Sequence, residues 1–145
     1  MEVADLTISS RFSVAAHILS LLDMFKDQRL TSDSIADSVN TNPVVIRRIM
    51  GMLNKAGLVH TSAGVAGARL AREMSEITLL DVYRAVQGEQ EALFSMHENP
   101  NPACPVGRNI QGALETTFGR AQLAMENELA KVTMADISLD IAQRI

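Results

Sequence analysis

Pro43 is the residue that most constrains this chain. It follows the polar run Asn40-Thr41-Asn42 and opens a stretch with helical apolar spacing. Proline suits only the first turn of a helix, and asparagine is a favoured N-cap, so a helix begins here. Upstream, Thr31 or Ser32 caps a short helix whose apolar positions are Ile35, Ala36 and Val39. A short helix, a three-residue polar turn and a new helix, in that order, predict a helix-turn-helix. The second helix, over 43–56, divides into two faces. Ile46, Ile49, Met50, Leu53 and Ala56 fall on one, and Val44, Arg47, Arg48, Gly51 and Lys55 on the other. Basic residues facing outward, with a glycine among them, suit a helix that lies in a major groove. An ordinary amphipathic surface helix is the competing reading, and the short helix and turn before it weigh against that.

The flanking segments fit the same plan. Residues 7–25 predict a helix with two apolar stripes, one of Ile8, Phe12, Ala15, Leu19 and Leu22, the other of Val14, Ile18, Leu21 and Phe25. A helix covered on two sides is buried by its own domain and by a neighbour. Leu30 is expected to start a short strand. Gly57 caps the second helix of the motif. Strands over 58–62 and 68–72, joined by a glycine-bearing turn, then make a hairpin, or wing. Arg69 or Arg72 on it can reach a phosphate or a minor groove. A helix over 78–86 starts on a capping box of Thr78 and Asp81 and is expected to stop at Gly88. Residues 89–103 read as a loop. Pro105 opens a long helix to residue 132, roughly 40 Å at 1.5 Å per residue. Its stripe is Val106, Ile110, Leu114, Phe118, Ala121, Met125, Leu129 and Val132. Such a helix outreaches a small domain, so part of its apolar face is expected to meet a second chain, and Gly112 and Gly119 would allow a close approach. Thr133 and Asp136 cap a last helix with Ile137, Ile141 and Ile145. The expected organisation is a winged helix-turn-helix domain over 1–88, a loop over 89–104 and dimerisation helices over 105–145. The fold class is mainly α with a small β-hairpin wing.

Charge supports this placement. The chain has 145 residues and a net charge of −4. Residues 1–72 carry eight Lys/Arg against six Asp/Glu, whereas 73–145 carry five against eleven. Between Asp37 and Glu73 there is no acidic residue, but there are Arg47, Arg48, Lys55, Arg69 and Arg72, with His60. That window is the footprint expected for a nucleic-acid contact. Aromatics are only 3%, with no Trp, which disfavours a β-sandwich and a stacking platform for single strands. No signal segment and no membrane-length apolar run is present, so a cytoplasmic protein without a membrane partner is expected.

Catalytic patterns are absent from the sequence. His17, His60 and His97 have no metal-ligand spacing, and there is no nucleophile elbow or phosphate loop. Cys104 is the single cysteine, which excludes a disulfide framework and an all-cysteine zinc site. It stands between Ala103 and Pro105, at the expected N-cap of the long helix. There the helix dipole favours the thiolate, as a redox-sensing thiol requires. The alternative is a small residue packed in a loop.

Two runs carry a family resemblance. One is Arg47-Arg48-Ile49 through Leu53-Asn54-Lys55-Ala56-Gly57-Leu58-Val59, and the other is Gly64-Val65-Ala66-Gly67-Ala68-Arg69-Leu70-Ala71. With Ser10-Arg11-Phe12 and Ile77-Thr78-Leu79-Leu80-Asp81-Val82, they resemble the Rrf2-type winged-helix transcription regulators. These include the iron–sulfur cluster regulator, the nitric-oxide-sensing repressor and the cysteine-metabolism repressor. The resemblance covers nearly the whole chain. It implies a homodimeric bacterial DNA-binding protein, usually a repressor, that dimerises through the long helix. Two departures stand out. The family wing has adjacent glycines and then an aromatic, where this chain has Gly67-Ala68-Arg69. Cluster-binding members have three cysteines before the long helix, where this chain has Cys104 alone, so no cofactor is expected.

The residues expected to contact operator DNA are Arg11, Asn42, Val44, Arg47, Arg48, Lys55, Arg69 and Arg72. Ile110, Leu114, Phe118 and Met125 are expected in the dimer seam. Cys104 is the expected site for an oxidant or electrophile signal. Three other readings are weighed against this one: a winged-helix protein-interaction module, a regulator that senses a small ligand without thiol chemistry, and a thiol enzyme acting through Cys104.

Overall fold

A computed structural model describes residues 7–61, 67–88 and 94–145. Five of its six α-helices begin on an oxygen-bearing side chain that accepts a backbone N–H. Thr7 caps α1 (Ile8–Met24) through Ser10 N–H. Thr31 and Ser34 form a reciprocal box at α2 (Ser32–Val39). Asn42 Oδ1 accepts from Val45 N–H at 3.0 Å and, with Pro43 behind it, starts α3 (Pro43–Lys55). Thr78 with Asp81 and Thr133 with Asp136 make the same box at α4 (Leu79–Val86) and α6 (Met134–Arg144). The sixth, α5 (Pro105–Ala130), starts on Cys104. Each oxygen cap supplies an orphan donor with an acceptor, contributing about 1 kcal/mol and fixing where the helix enters.

Helices α1, α2, α3 and α4 enclose one core. Ile18 and Leu19 of α1, Ile35 of α2, Ile46, Ile49 and Leu53 of α3, and Val82 of α4 are buried in it. After α3, Gly57 turns the chain with φ +78 into β1 (Val59–Thr61), which pairs antiparallel with β2 (Ala68–Leu70). The register sets Val59 against Leu70 and His60 against Arg69. Val59 faces the core while His60 and Thr61 are exposed. Gly67 lies against Arg29, where a Cβ would come within 2.8 Å of Cγ, and it has φ +93. Both facts demand glycine there.

The fold class is the expected one, with local differences. Leu30 starts no strand; it runs into the Thr31 cap, and Arg29 beside it packs on Gly67. Both strands are shorter than expected, and of the expected wing turn at 63–67 only Gly67 lies within the described residues. Helix α4 ends at Val86 as expected, with Gln87, already extended (φ −73, ψ 130), rather than a glycine as its C-cap. A single 3-10 turn, Met74–Glu76, precedes Ile77 and was not foreseen. Ala56 is exposed as the C-cap of α3 rather than buried with Ile49 and Leu53.

Helix α6 returns to the first unit. Leu79 N–H donates to Val132 C=O at 2.8 Å, and Met134 N–H to Ile77 C=O at 2.7 Å. Ser138 Oγ donates to Asp23 of α1 at 3.1 Å. Met134 is fully buried in the common core. Helix α5 therefore leaves the body and is brought back to it, with α4 alongside and an Arg84–Glu126 ion pair of 3.1 Å between the two. None of its residues is fully buried. Met134→Ala should lower the urea midpoint by the equivalent of about 2–4 kcal/mol, the range for a truncated core side chain. Leu139→Ala, on the exposed side of α6, should stay within about 0.5 kcal/mol.

Candidate nucleic-acid interface

Burial of one face of α3 dictates what the other presents. Val45, Ile46, Ile49 and Leu53 have no accessible surface. Val44, Arg47, Arg48, Gly51 and Lys55 are all exposed, Val44 at 56%. Among the described residues, Arg47, Arg48, Lys55 and Arg69 have no ion-pair partner. Arg69 and its cross-strand neighbour His60 are exposed together on the hairpin. A cavity of about 360 Å³ separates α3 from the hairpin base and the start of α2, lined among others by Thr31, Ser32, Arg47, Gly51, Thr61 and Gly67. The basic face thus borders a groove, with Arg47 at its edge.

Three expected contact residues are engaged within the chain. Arg11 Nε donates to Val86 C=O at 3.1 Å, so its guanidinium sits at the C-terminal end of α4, where a cation is favourable. Arg72 donates to Glu76 C=O and lies 3.8 Å from Asp81, so it ties the hairpin to the start of α4. Asn42 is committed through Oδ1 to its cap and sets the position of α3. The structure brings Val44, Arg47, Arg48 and Lys55 together on one helix face and puts Arg69 on the hairpin. Thr31 and Ser32 at the start of α2 and Thr61 of β1 join the groove; the periodicity of α3 could not reveal them, because they come from two other elements. His17, packed between α1 and α2, pairs with Ser38 Oγ at 2.9 Å.

The start of α5 has its own geometry. Asn101 C=O accepts from Cys104 N–H at 3.1 Å, and its Oδ1 from Ala103 N–H at 3.0 Å. Gly107 lies so close to the Asn101 backbone that any Cβ would collide with it. This packing holds Cys104 at the N-cap with an exposed thiol. The Sγ makes no capping hydrogen bond of standard geometry. The Gly107 and Val106 backbone N–H groups nonetheless hold its pKa below the ordinary thiol value, against a smaller opposing effect of desolvation. Further along, Ile110, Leu114, Phe118 and Met125 are half-buried. Phe118 stacks on Phe94 of the same chain with centroids 5.4 Å apart. Val106 and Leu123 are 68% and 59% exposed. No helix among the described residues is long and apolar enough to cross a membrane.

Comparison with known proteins agrees with this arrangement. Residues 8–140 match the family described as "Rrf2: Iron-dependent Transcriptional regulator". The chain is 56% identical over 130 residues to "Putative HTH-type transcriptional regulator YwnA" of Bacillus subtilis, covering 90% of this chain and 96% of that one. A crystal structure of "a putative DNA binding protein" superposes with a TM-score of 0.72 at 48% identity, over 88% of this chain and 98% of the other. A transcriptional regulator from Lactobacillus plantarum superposes with a TM-score of 0.76 at 27% identity, over 91% and 89%. The donor set here does not fit an iron or iron–sulfur group. Cys104 is the only cysteine, and no three His, Cys, Asp or Glu come together among the described residues. The match spans both the helix-turn-helix and the long helix, and the chain belongs to the Rrf2 family of transcriptional regulators.

Proposed function

We propose that this protein is a sequence-specific repressor that binds operator DNA as a homodimer, with α3 in the major groove and Arg69 of the hairpin at the backbone. One observation carries the reading: the basic face of α3 is fully outward, because the opposite face is fully buried. Repression follows from occupancy, since a dimer seated on its operator excludes other proteins from that stretch of duplex. The winged body of 1–88 is taken as the DNA-binding part, with α5 as the element that joins two copies. Replacing Arg47 or Arg48 by Ala should weaken operator binding by about 1–3 kcal/mol where the residue reads a guanine edge. Where it holds a phosphate instead, affinity should fall for all sequences and the slope of log affinity against log salt should flatten. Unchanged affinity in the double variant, measured by fluorescence anisotropy, would remove α3 from the interface. A protein-interaction module would show duplex binding with no strong dependence on salt.

The dimer reading rests on the apolar stripe of α5, which the chain covers only in part. Phe118 is engaged by Phe94, so Leu114 is the cleaner probe. Leu114→Asp places a charge in the stripe and should yield monomers by sedimentation, with loss of operator affinity. A wild type that sediments as a monomer at micromolar concentration would contradict the dimer.

For the signal we favour Cys104, supported by its exposure and lowered pKa at the start of the dimer helix. Oxidation there adds bulk and polarity where α5 begins. Alkylation should titrate with an apparent pKa below the reference of about 8.5. Oxidant should release the wild type from DNA and reductant should restore it, whereas Cys104→Ser should bind and ignore oxidant. Reaction at the rate of an unperturbed thiol, with oxidant-insensitive binding, would shift the signal to a small ligand. A cavity of about 430 Å³ favours that second reading: Phe94, Met96, Phe118 and Gln122 line it, and Gln122 Oε1 is buried without a partner.

A further inference from the structure

Helix α3 carries a residue that its own fold does not require. Gly51 stands inside a 13-residue helix, where glycine is the weakest former after proline. It adopts no left-handed backbone angle; Gly57 and Gly67 are the described glycines that do. A Cβ placed on it meets nothing within 4 Å. Gly67 and Gly107 are different, because neighbouring atoms already fill the space that a Cβ would need. Neither conformation nor packing within the chain accounts for glycine at 51.

Its position on the helix does. At about 100° per residue, Gly51 and Lys55 lie about 20° to either side of Val44, at the centre of the exposed face. Arg47 and Arg48 flank them. Gly51 also lines the cavity beside Arg47, Thr61 and Gly67. The missing side chain therefore lies at the centre of a surface whose cations have no partner among the described residues, which selects a polyanion as the occupant.

We propose that Gly51 is a specificity-determining position at which a base-pair edge comes into van der Waals contact with the backbone of α3. A methyl group there would hold the helix off the groove floor and lift Arg47 and Arg48 away from their acceptors. This rests on the reading of α3 as the recognition helix.

The test uses the full-length protein and a duplex enriched by the wild type from a randomised pool. Gly51→Ala and Gly51→Leu should each raise Tm by roughly 2–5 °C, because both residues favour helix. Affinity for the enriched duplex should fall about tenfold for Ala and further for Leu. Binding to unselected duplex at low salt should fall less than binding to the enriched duplex, since every cation remains. Wild-type affinity for the enriched duplex in both variants would overturn the proposal, and so would a lowered Tm in both, which would make glycine a requirement of the fold. A wild type that enriches no sequence would instead defeat the recognition-helix reading itself, and this proposal with it.

Discussion

Three side chains on α3 orient everything this protein presents to a partner. Ile46, Ile49 and Leu53 are wholly removed from water under α1, α2 and α4. Burial of that order is worth roughly 1.5–3 kcal/mol for each side chain, far more than any surface ion pair. A helix is rigid, so fixing one face fixes the other. Val44, Arg47, Arg48, Gly51 and Lys55 therefore face outward, with no ion pair among the described residues to hold the cations there. The Asn42 cap sets the axial position of the helix, and Gly57 sends the chain straight into the hairpin. Recognition helix and wing are consequently positioned by a single packing event.

The same core also governs how the long helix is attached. Met134 enters it from α6, and the pairing of Ile77 and Leu79 with Met134 and Val132 closes the chain on itself just before α4. Helix α5 is thus anchored at its C-terminal end to the winged body, while its N-terminal end is set by Asn101 and Gly107. Helix α5, about 39 Å long, therefore links Cys104 at one end to the shared core at the other.

Much of this was legible in the sequence, because the signals were local and redundant. The Asn42-Pro43 start, the Thr–Asp capping boxes and the 3.6-residue period of α3 each rest on neighbours within one or two turns. Differences arose where a residue's surroundings depended on something distant. Leu30 has strand character, yet the adjoining Thr31 cap takes the chain directly into α2. Arg72 belongs to the positive window, yet Asp81 and the Glu76 carbonyl come within its reach only after the 3-10 turn forms. Arg11 fits the basic face by charge, but the end of α4 lies 75 residues away in sequence. The return of α6 to the core had no local marker at all, since Met134 looks like any apolar residue after a cap.

Charge then determines which way the molecule can meet a duplex. The chain as a whole is acidic, so its long-range field repels DNA. At physiological salt the Debye length is about 8 Å, and only charges close to the phosphates count. Arg47, Arg48 and Lys55 are exposed on one helix with no carboxylate between Asp37 and Glu73 in sequence. Of the acidic half, Asp81 is offset by Arg72, Glu126 by Arg84 and Glu128 by Lys131, while α5 carries Arg108, Glu115 and Arg120 besides. A duplex approaching through α3 meets Arg47, Arg48 and Lys55, none of which is held in an ion pair among the described residues. On the proposed reading, those cations favour the orientation in which α3 leads.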